Sequence, residues 1–144
     1  MGRNKIFLDT SILVTAALSS RGGSFYILTQ MKEKYQFQIN KYVLDELHDL
    51  IEGKFLSDTD FQSRLFFLLG VANVEILENP SRATFKKLLK FINTDDVPIL
   101  SSALQHSNYL LTLDKAFLQP KVKDFAKTRG LLIYNPREFL KSPR

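Results

Sequence analysis

Short, continuously apolar strand segments alternate with helical segments along this chain. The strand segments are predicted at residues 5–8, 37–39, 74–77, 109–113 and 131–134. Strands that lack a polar face are buried on both sides, and this is typical of a parallel sheet that helices cover on both faces. The alternation therefore predicts the α/β class, with crossover helices between neighbouring strands.

The helical segments follow from apolar periodicity and capping signals. They are predicted at residues 11–18, 25–34, 41–51, 58–69, 81–92, 97–106, within 120–128 and at 136–140. Ser24 and Ser81 are interpreted as the caps of the second and fifth helices, and Asp96 as the cap of the helix at 97–106. Pro98 fits the first turn of that helix, where no N–H is needed.

Length and composition restrict the class of protein further. The 144 residues suit one domain over residues 1–144. The chain has no cysteine, which excludes disulfides, thiolate catalysis and zinc–thiolate sites and favours a cytoplasmic protein. The first apolar stretch is interrupted by Asp9, Thr10 and Ser11, so no signal peptide is predicted. No run approaches the roughly 20 apolar residues of a membrane span.

The formal net charge is +5, which favours a polyanionic partner such as nucleic acid. Charge alone is a weak argument for function. Two lysine-rich segments are interpreted as solvated helix faces, with phosphate contact as the alternative. They contain Lys86, Lys87 and Lys90, and Lys121, Lys123, Lys127 and Arg129.

Four acidic residues stand where apolar runs begin or end: Asp9, Glu46, Asp96 and Asp114. Asp9 and Asp114 directly follow strand segments, and ligands of open α/β sheets bind outside the carboxyl ends of the strands. Carboxylates brought together in one crevice repel each other, and a divalent cation would relieve that repulsion. The sequence therefore predicts an acidic metal site at the carboxyl ends of the strands.

The other two acidic residues are chosen by helical geometry. Glu46 lies at the edge of the apolar stripe of its helix, whereas Asp45 projects close to the opposite side. Extrapolating the stripe of the helix at 97–106 back by one turn places Asp96 on the buried side and Asp95 away from it. Glu46 and Asp96 are thus preferred to Asp45 and Asp95 as members of the predicted metal site.

Four segments, taken together and in this order, resemble the PIN domain family. They are Ile6-Phe7-Leu8-Asp9-Thr10-Ser11-Ile12-Leu13-Val14, Val43-Leu44-Asp45-Glu46-Leu47, Asp95-Asp96-Val97-Pro98-Ile99-Leu100 and Leu111-Thr112-Leu113-Asp114. The resemblance covers nearly the whole chain, and the separation between Asp96 and Asp114 fits the family pattern. It is nearest to the bacterial and archaeal branch described as toxin components of toxin–antitoxin systems.

The resemblance implies a Rossmann-like, three-layer α/β/α fold with a central, mostly parallel sheet. It also implies a metal-dependent endoribonuclease in which Asp9, Glu46, Asp96 and Asp114 form the catalytic, metal-binding cluster. Hard oxygen ligands suit Mg²⁺ or Mn²⁺, and the metal would activate a water for attack on an RNA phosphodiester. The implied partners are an RNA substrate and an antitoxin protein.

Second-rank site candidates lie beside the carboxylates. Thr10, Ser11 and Thr112 carry hydroxyls that can orient a ligating carboxylate or hold a metal-bound water. Ser11 can equally be the cap of the first helix. Arg21, in the loop with Gly22 and Gly23, is a candidate for substrate binding.

Other interpretations remain open at this stage. Taken singly, each acidic residue can be a helix cap, a solvated flank or the start of a turn. The second class of function is a PIN-like module that binds RNA or protein without cutting. An unrelated phosphatase or nucleotide-binding fold is disfavoured because its motifs are missing. The phenylalanines, including Phe66 and Phe67, are interpreted mostly as core, and the alternative is that exposed aromatic residues from Phe61 to Phe67 form the surface of a homodimer or antitoxin complex.

Overall fold

The structure, a computed structural model, describes residues 2–142. Of the predicted domain over residues 1–144, Met1, Pro143 and Arg144 lie outside the described residues. The five strands found there are Asn4–Leu8 (β1), Tyr35–Asn40 (β2), Glu75–Leu77 (β3), Tyr109–Leu111 (β4) and Leu132–Tyr134 (β5). They form one sheet in the order β3-β2-β1-β4-β5, and every neighbouring pair is parallel.

Helices connect these strands and cover the sheet. Their bounds are Thr10–Leu18 (α1), Gly23–Gln30 (α2), Lys41–Glu52 (α3), Thr59–Val71 (α4), Phe85–Leu88 (α5), Val97–His106 (α6), Lys115–Leu118 (α7), Pro120–Thr128 (α8) and Pro136–Lys141 (α9). Short 3-10 turns at Arg82–Thr84 and Thr94–Asp96 precede α5 and α6. This architecture confirms the predicted α/β class and the PIN-like layering of helices around a parallel sheet.

The strand order places a crevice beside the central strand. The chain builds β1, β2 and β3 outward on one side, then crosses to add β4 and β5 on the other side of β1. Strand order therefore reverses between β1 and β4, and such a switch point is where open α/β sheets bind ligands. The register pairs Leu8 with Leu111, so the segments after these two residues emerge side by side.

The core confirms that the central strand is buried on both faces, whereas the edge strand β3 is largely exposed and contradicts this expectation. Ile6, Phe7 and Leu8 in β1 are completely buried, so both faces of the central strand are covered. Phe37 in β2 and Leu111 in β4 are also completely buried. Burying apolar surface on both faces stabilises the sheet by roughly 25 cal/mol for each Å² removed from water. In the part of the chain that the structure describes, no helix is long and apolar enough to cross a membrane.

The predicted helix at residues 81–92 is wrong in its length. It is reduced to a 3-10 turn and the four residues of α5. Ser81 accepts the N–H of Ala83 at the start of the turn, as a cap should, but Leu88 is the only buried residue of α5. A short helix with little buried surface gains too little from packing to extend.

The second predicted helix and its cap are also corrected. The segment predicted at residues 25–34 is helical from Gly23 to Gln30, and Gly22 occupies the N-cap position. Ser24 does not cap it: its hydroxyl is buried and shares a 3.0 Å hydrogen bond with the hydroxyl of Thr15. The serine joins α1 to α2 because α2 packs directly against α1.

Candidate active site

Asp9 lies at the carboxyl end of the central strand and is only 6% exposed. As the N-cap of α1, it accepts the N–H of Thr10 at Oδ1, at 2.8 Å. Its Oδ2 accepts hydrogen bonds from the hydroxyls of Ser11, at 2.9 Å, and Thr112, at 2.7 Å. Burial raises the pKa of Asp9, these hydrogen bonds oppose that rise, and the charge of Asp114 adds to it. The cap of α1 is therefore Asp9, and Ser11 instead orients the capping carboxylate.

Glu46 projects from α3 toward the same edge. Its Oε1 accepts a 2.6 Å hydrogen bond from the hydroxyl of Thr10. The residue is half-buried, whereas Asp45 is exposed. Burial raises the pKa of Glu46, the bond from Thr10 opposes this, and the charges of Asp9 and Asp96 raise it further. One hydroxyl from α1 thus fixes the orientation of a carboxylate on α3.

Asp96 stands at the N-terminus of α6 and is half-buried. The prediction that its side chain caps α6 is wrong, since its carboxylate makes no cap hydrogen bond. Burial, followed by the charges of Asp114, Asp9 and Asp95, raises the pKa of Asp96 to about 6. No hydrogen bond opposes this rise, so Asp96 is the carboxylate in the cluster that most needs a compensating charge. Asp95, which is exposed, also contributes to the negative potential.

Asp114 follows β4 and is tied to Asp9 through Thr112. The Thr112 hydroxyl donates to Asp9 and accepts the N–H of Asp114 at 3.0 Å. Ser11 makes a parallel link, because its hydroxyl also accepts the N–H of Leu113 at 3.1 Å. Asp114 itself accepts the N–H of Ala116 and caps the short helix α7. The pairing of β1 with β4 is thereby extended by side chains into the loops that carry the two aspartates.

The structure brings all four predicted carboxylates into one electrostatic group, which we call the acidic edge. The charges of Asp9 and Asp96 act on Glu46, and the charge of Asp114 acts on both Asp9 and Asp96. Within residues 2–142, none of the ion pairs involves any of the four. Their repulsion is therefore not balanced by a lysine or an arginine, although the chain is basic overall.

The donor set matches a hard divalent cation in its chemistry. Carboxylate oxygens are the ligands that Mg²⁺ and Mn²⁺ prefer, and histidine and cysteine are not needed. Across residues 2–142, no three or more His, Asp or Glu side chains stand in an arrangement that could hold an ion. Hydroxyls orient Asp9 and Glu46. The carboxylates thus fit such a cation in type and charge, and their assignment as ligands stays a prediction.

No protein-family model matches the sequence. No characterised protein matches it in a sequence comparison either. Solved structures do resemble it. VapBC2 from Rickettsia felis, bound to a DNA fragment from their promoter, aligns with a TM-score of 0.66 and 22% identity over 91% of this chain and 98% of that chain. The chain has a PIN-like fold.

Two archaeal structures align with this PIN-like fold as well. A domain of a functionally unknown protein from Methanocaldococcus jannaschii gives a TM-score of 0.56 and 16% identity over 98% of this chain and 94% of that chain. PAE2754 from Pyrobaculum aerophilum gives 0.55 and 19% over 92% of each chain. At these identities the likeness concerns the fold, and the chemistry has to be argued from the site.

Sequence reasoning missed two residues that shape the acidic edge of this PIN-like fold. Asn40 is completely buried and connects α3 to α6: its amide donates to the carbonyl of Pro98 and to the hydroxyl of Ser102. Tyr42 lies one turn before Glu46, and burial and the charges of Glu46, Asp95 and Asp96 raise its pKa. The i, i+4 spacing of Tyr42 and Glu46 was a usable signal.

The remaining candidates fall outside the acidic group. Arg21 is exposed before α2, and within the described residues it forms no ion pair with the carboxylates. Phe61 is completely buried, so the surface predicted between Phe61 and Phe67 loses its first member. Phe66 and Phe67 are 60% and 59% exposed, so the interpretation of these two residues as core is wrong.

Proposed function

We propose that this protein is a divalent-metal-dependent endoribonuclease. The observation that carries the proposal is the group of four carboxylates at the sheet's switch point, which has no cationic partner among the described residues. Leaving several carboxylates ionised and unpaired in a half-buried crevice costs stability. Proteins accept such a cost at functional sites, where a ligand repays it.

Bound Mg²⁺ or Mn²⁺ would supply a Lewis acid that polarises a phosphate and lowers the pKa of a water molecule. The residues of the chain provide orientation. Ser11 and Thr112 hold Asp9, and Thr10 holds Glu46, so the two carboxylates cannot rotate freely. Asp96 accepts no cap hydrogen bond and keeps both of its oxygens available. No serine or cysteine nucleophile is required in this proposal, because water attacks the phosphodiester.

RNA is the proposed substrate on two grounds. The chain is basic, which suits a phosphate backbone, and its fold resembles the PIN domains whose motifs it carries. The alternative function, a non-catalytic PIN-like module that binds RNA or protein, would not need an unbalanced set of four carboxylates. The complete set therefore favours the nuclease.

The decisive experiment measures cleavage of labelled structured and unstructured RNA in Mg²⁺, Mn²⁺ or EDTA. We expect Asp9→Asn and Asp96→Asn to lose more than about 100-fold in rate, since even outer-shell partners of metal sites contribute roughly 10- to 100-fold. Asp45→Asn is the matched control, because it removes one exposed charge adjacent to Glu46. Cleavage by Asp9→Asn and Asp96→Asn at the wild-type rate, or wild-type cleavage unaffected by EDTA, would refute the proposal.

We also propose that a protein partner covers part of the surface, as an antitoxin would. The similar Rickettsia felis structure is VapBC2 bound to promoter DNA. Phe66 and Phe67 present exposed rings on α4, and large exposed rings are typical of interaction surfaces. The test is co-purification and inhibition of nuclease activity by the product of an adjacent small gene, compared with Phe66→Ser. The predicted homodimer is tested on the same variant by sedimentation equilibrium.

A further inference from the structure

A cleft separate from the four carboxylates lies between α5, α6 and α8. Its volume is about 660 Å³, within the range of small-molecule sites. Three basic residues line it: Lys87, Lys90 and Arg129. No carboxylate belongs to the lining among residues 2–142. We call this site the basic cleft. Its charge is therefore opposite to that of the acidic edge.

Aromatic rings form one wall of the basic cleft. Phe91 and Phe125 stack with their centroids 4.3 Å apart and their planes 23° from parallel. The guanidinium of Arg129 lies 5.2 Å from the centroid of the Phe125 ring. Both rings are only partly buried. The cleft thus combines an apolar surface with cations fixed beside it, the pair of features that single-stranded nucleic-acid sites use.

The remaining wall carries ordered polar groups. The hydroxyl of Ser101, a residue only 2% exposed, shares a 2.9 Å hydrogen bond with the hydroxyl of Thr84. Gln105 donates its side-chain amide to Ser101 at 3.4 Å, which leaves its carbonyl oxygen for another partner. An amide side chain can pair with the edge of a base. Gln105, which is exposed, can therefore contact a ligand that the rings and cations hold.

We propose that the basic cleft binds an unpaired nucleotide of the RNA strand that is cut at the acidic edge. The phosphate lies at the cations and the base packs against Phe91 and Phe125. This assignment rests on the proposed nuclease function for the identity of the strand. Ser101 lies on α6, and Asp96 is the N-cap residue of that helix. Both sites are therefore built partly on α6.

The geometry favours single-stranded RNA over a duplex. In a double helix the bases are paired inside, and only backbone and groove edges meet a protein surface. The rings of the basic cleft gain nothing from such a partner, because no base is free to contact them. We infer that the cleft makes the enzyme prefer unstructured segments.

The test is fluorescence anisotropy of a labelled ten-nucleotide single-stranded RNA, measured in EDTA so that no strand is cut. We expect Lys87→Gln/Arg129→Gln to weaken binding at least tenfold and to lower the salt slope by about 1.4, for two lost phosphate contacts. Lys86→Gln/Lys127→Gln removes the same charge from the same two helices outside the cleft. This control should bind within twofold of wild type.

A ring variant separates base contact from charge. Phe91→Leu keeps an apolar side chain and loses the ring, and we expect at least a fivefold loss for single-stranded RNA. Circular dichroism melts verify that the variant is folded. If Phe91→Leu fails to fold, competition by uridine monophosphate against inorganic phosphate replaces it. Stronger competition by the nucleotide supports a base contact, and equal competition contradicts it.

Other outcomes would overturn the assignment. Equal losses of RNA affinity in Lys87→Gln/Arg129→Gln and in the control Lys86→Gln/Lys127→Gln would show diffuse electrostatic attraction. Equal binding of duplex and single-stranded RNA would show that no unpaired base is recognised. Failure of the proposed function is distinguishable: RNA that binds through the basic cleft but is never cut would refute the nuclease and leave the cleft assignment intact. If wild type cuts RNA, and Lys87→Gln/Arg129→Gln binds and cuts it as well as wild type does, only the assignment of the basic cleft is refuted.

Discussion

Asp9 combines deep burial with a dense set of donors. One backbone N–H and two hydroxyls contact its carboxylate, and charge-assisted hydrogen bonds of this kind are roughly twice as strong as neutral ones. They oppose the rise that burial imposes on the pKa of Asp9. At the scale of single residues, the site is therefore defined by hydroxyls that hold carboxylates, more than by the carboxylates alone.

Thr112 is the strongest test of that view, because it is completely buried and its hydroxyl serves Asp9 and the N–H of Asp114 at once. We expect Thr112→Val to reduce the free energy of unfolding by about 1 to 3 kcal/mol, since a charged acceptor and a backbone donor both lose a partner. Nuclease activity should fall as well. Thr112→Ser retains the hydroxyl and should recover most of both quantities, as measured by urea denaturation and RNA cleavage. Equal loss in both variants would contradict a role for the hydroxyl.

The raised pKa of Asp96 makes a prediction about pH. The folded protein holds this proton more tightly than the unfolded chain, so without metal its stability falls as pH rises from about 4 to about 6 and is level above that. We expect Asp96→Asn to make this decline smaller, because the raised pKa values of Asp9 and Glu46 still contribute to it, and to be more stable at pH 7 by about 1 kcal/mol after allowance for solvent screening. Urea denaturation in EDTA from pH 4 to pH 7 measures the decline and the difference in stability at pH 7. A variant less stable than wild type at pH 7 would contradict the unrelieved repulsion.

The residue types of the site could be predicted from the sequence, but their contacts could not. Asp9 and Asp114 were identified because they directly follow apolar strands. The bonds that Thr10 makes to Glu46, and Thr112 to Asp9, depend on how β1 pairs with β4 and how α3 packs beside α1. Such long-range register leaves no local pattern in the sequence.

At the scale of elements, prediction succeeded where a local signal agreed with burial. Helix α3 was predicted from its apolar stripe and α6 from Pro98 in its first turn, and both were predicted nearly to the residue. The segment at residues 81–92 also carried a cap and a helical pattern, yet α5 is four residues long. Only Leu88 of α5 is buried, so packing supports little of the helical pattern, and the sequence pattern does not show how much of it will be buried.

Asn40 connects two elements that carry acidic residues. Its Oδ1 accepts the N–H of Val43 as the cap of α3, and its amide donates to Pro98 and Ser102 on α6. We expect Asn40→Ala to cost about 2 to 4 kcal/mol, the sum of a lost cap and of buried groups left without partners. Asn40→Ser keeps the capping acceptor and should lose less. Urea denaturation compares them, and equal losses would mean that the cap contributes nothing.

At the scale of the whole molecule, charge is segregated. The chain carries a net charge of +5. The crevice at the switch point nevertheless collects negative charge, from the four site carboxylates and Asp95. The basic cleft holds three positive groups. A polyanion is attracted to such a surface over a range set by the salt concentration, and is repelled from the acidic edge unless a cation is bound there. Cation binding and RNA binding should therefore be coupled.

A divalent cation should stabilise the protein through the acidic edge, because it binds the folded chain and relieves the repulsion there. At 100 times its dissociation constant the ion would add about 2.7 kcal/mol. We expect Mg²⁺ to raise the melting temperature of wild type and Asp45→Asn and to have much less effect on Asp9→Asn. The gain should grow from pH 5 to pH 7, as Asp96, with its pKa of about 6, becomes ionised. Because NaCl at matched ionic strength only screens charge, equal stabilisation by NaCl would show that the carboxylates share no specific cation.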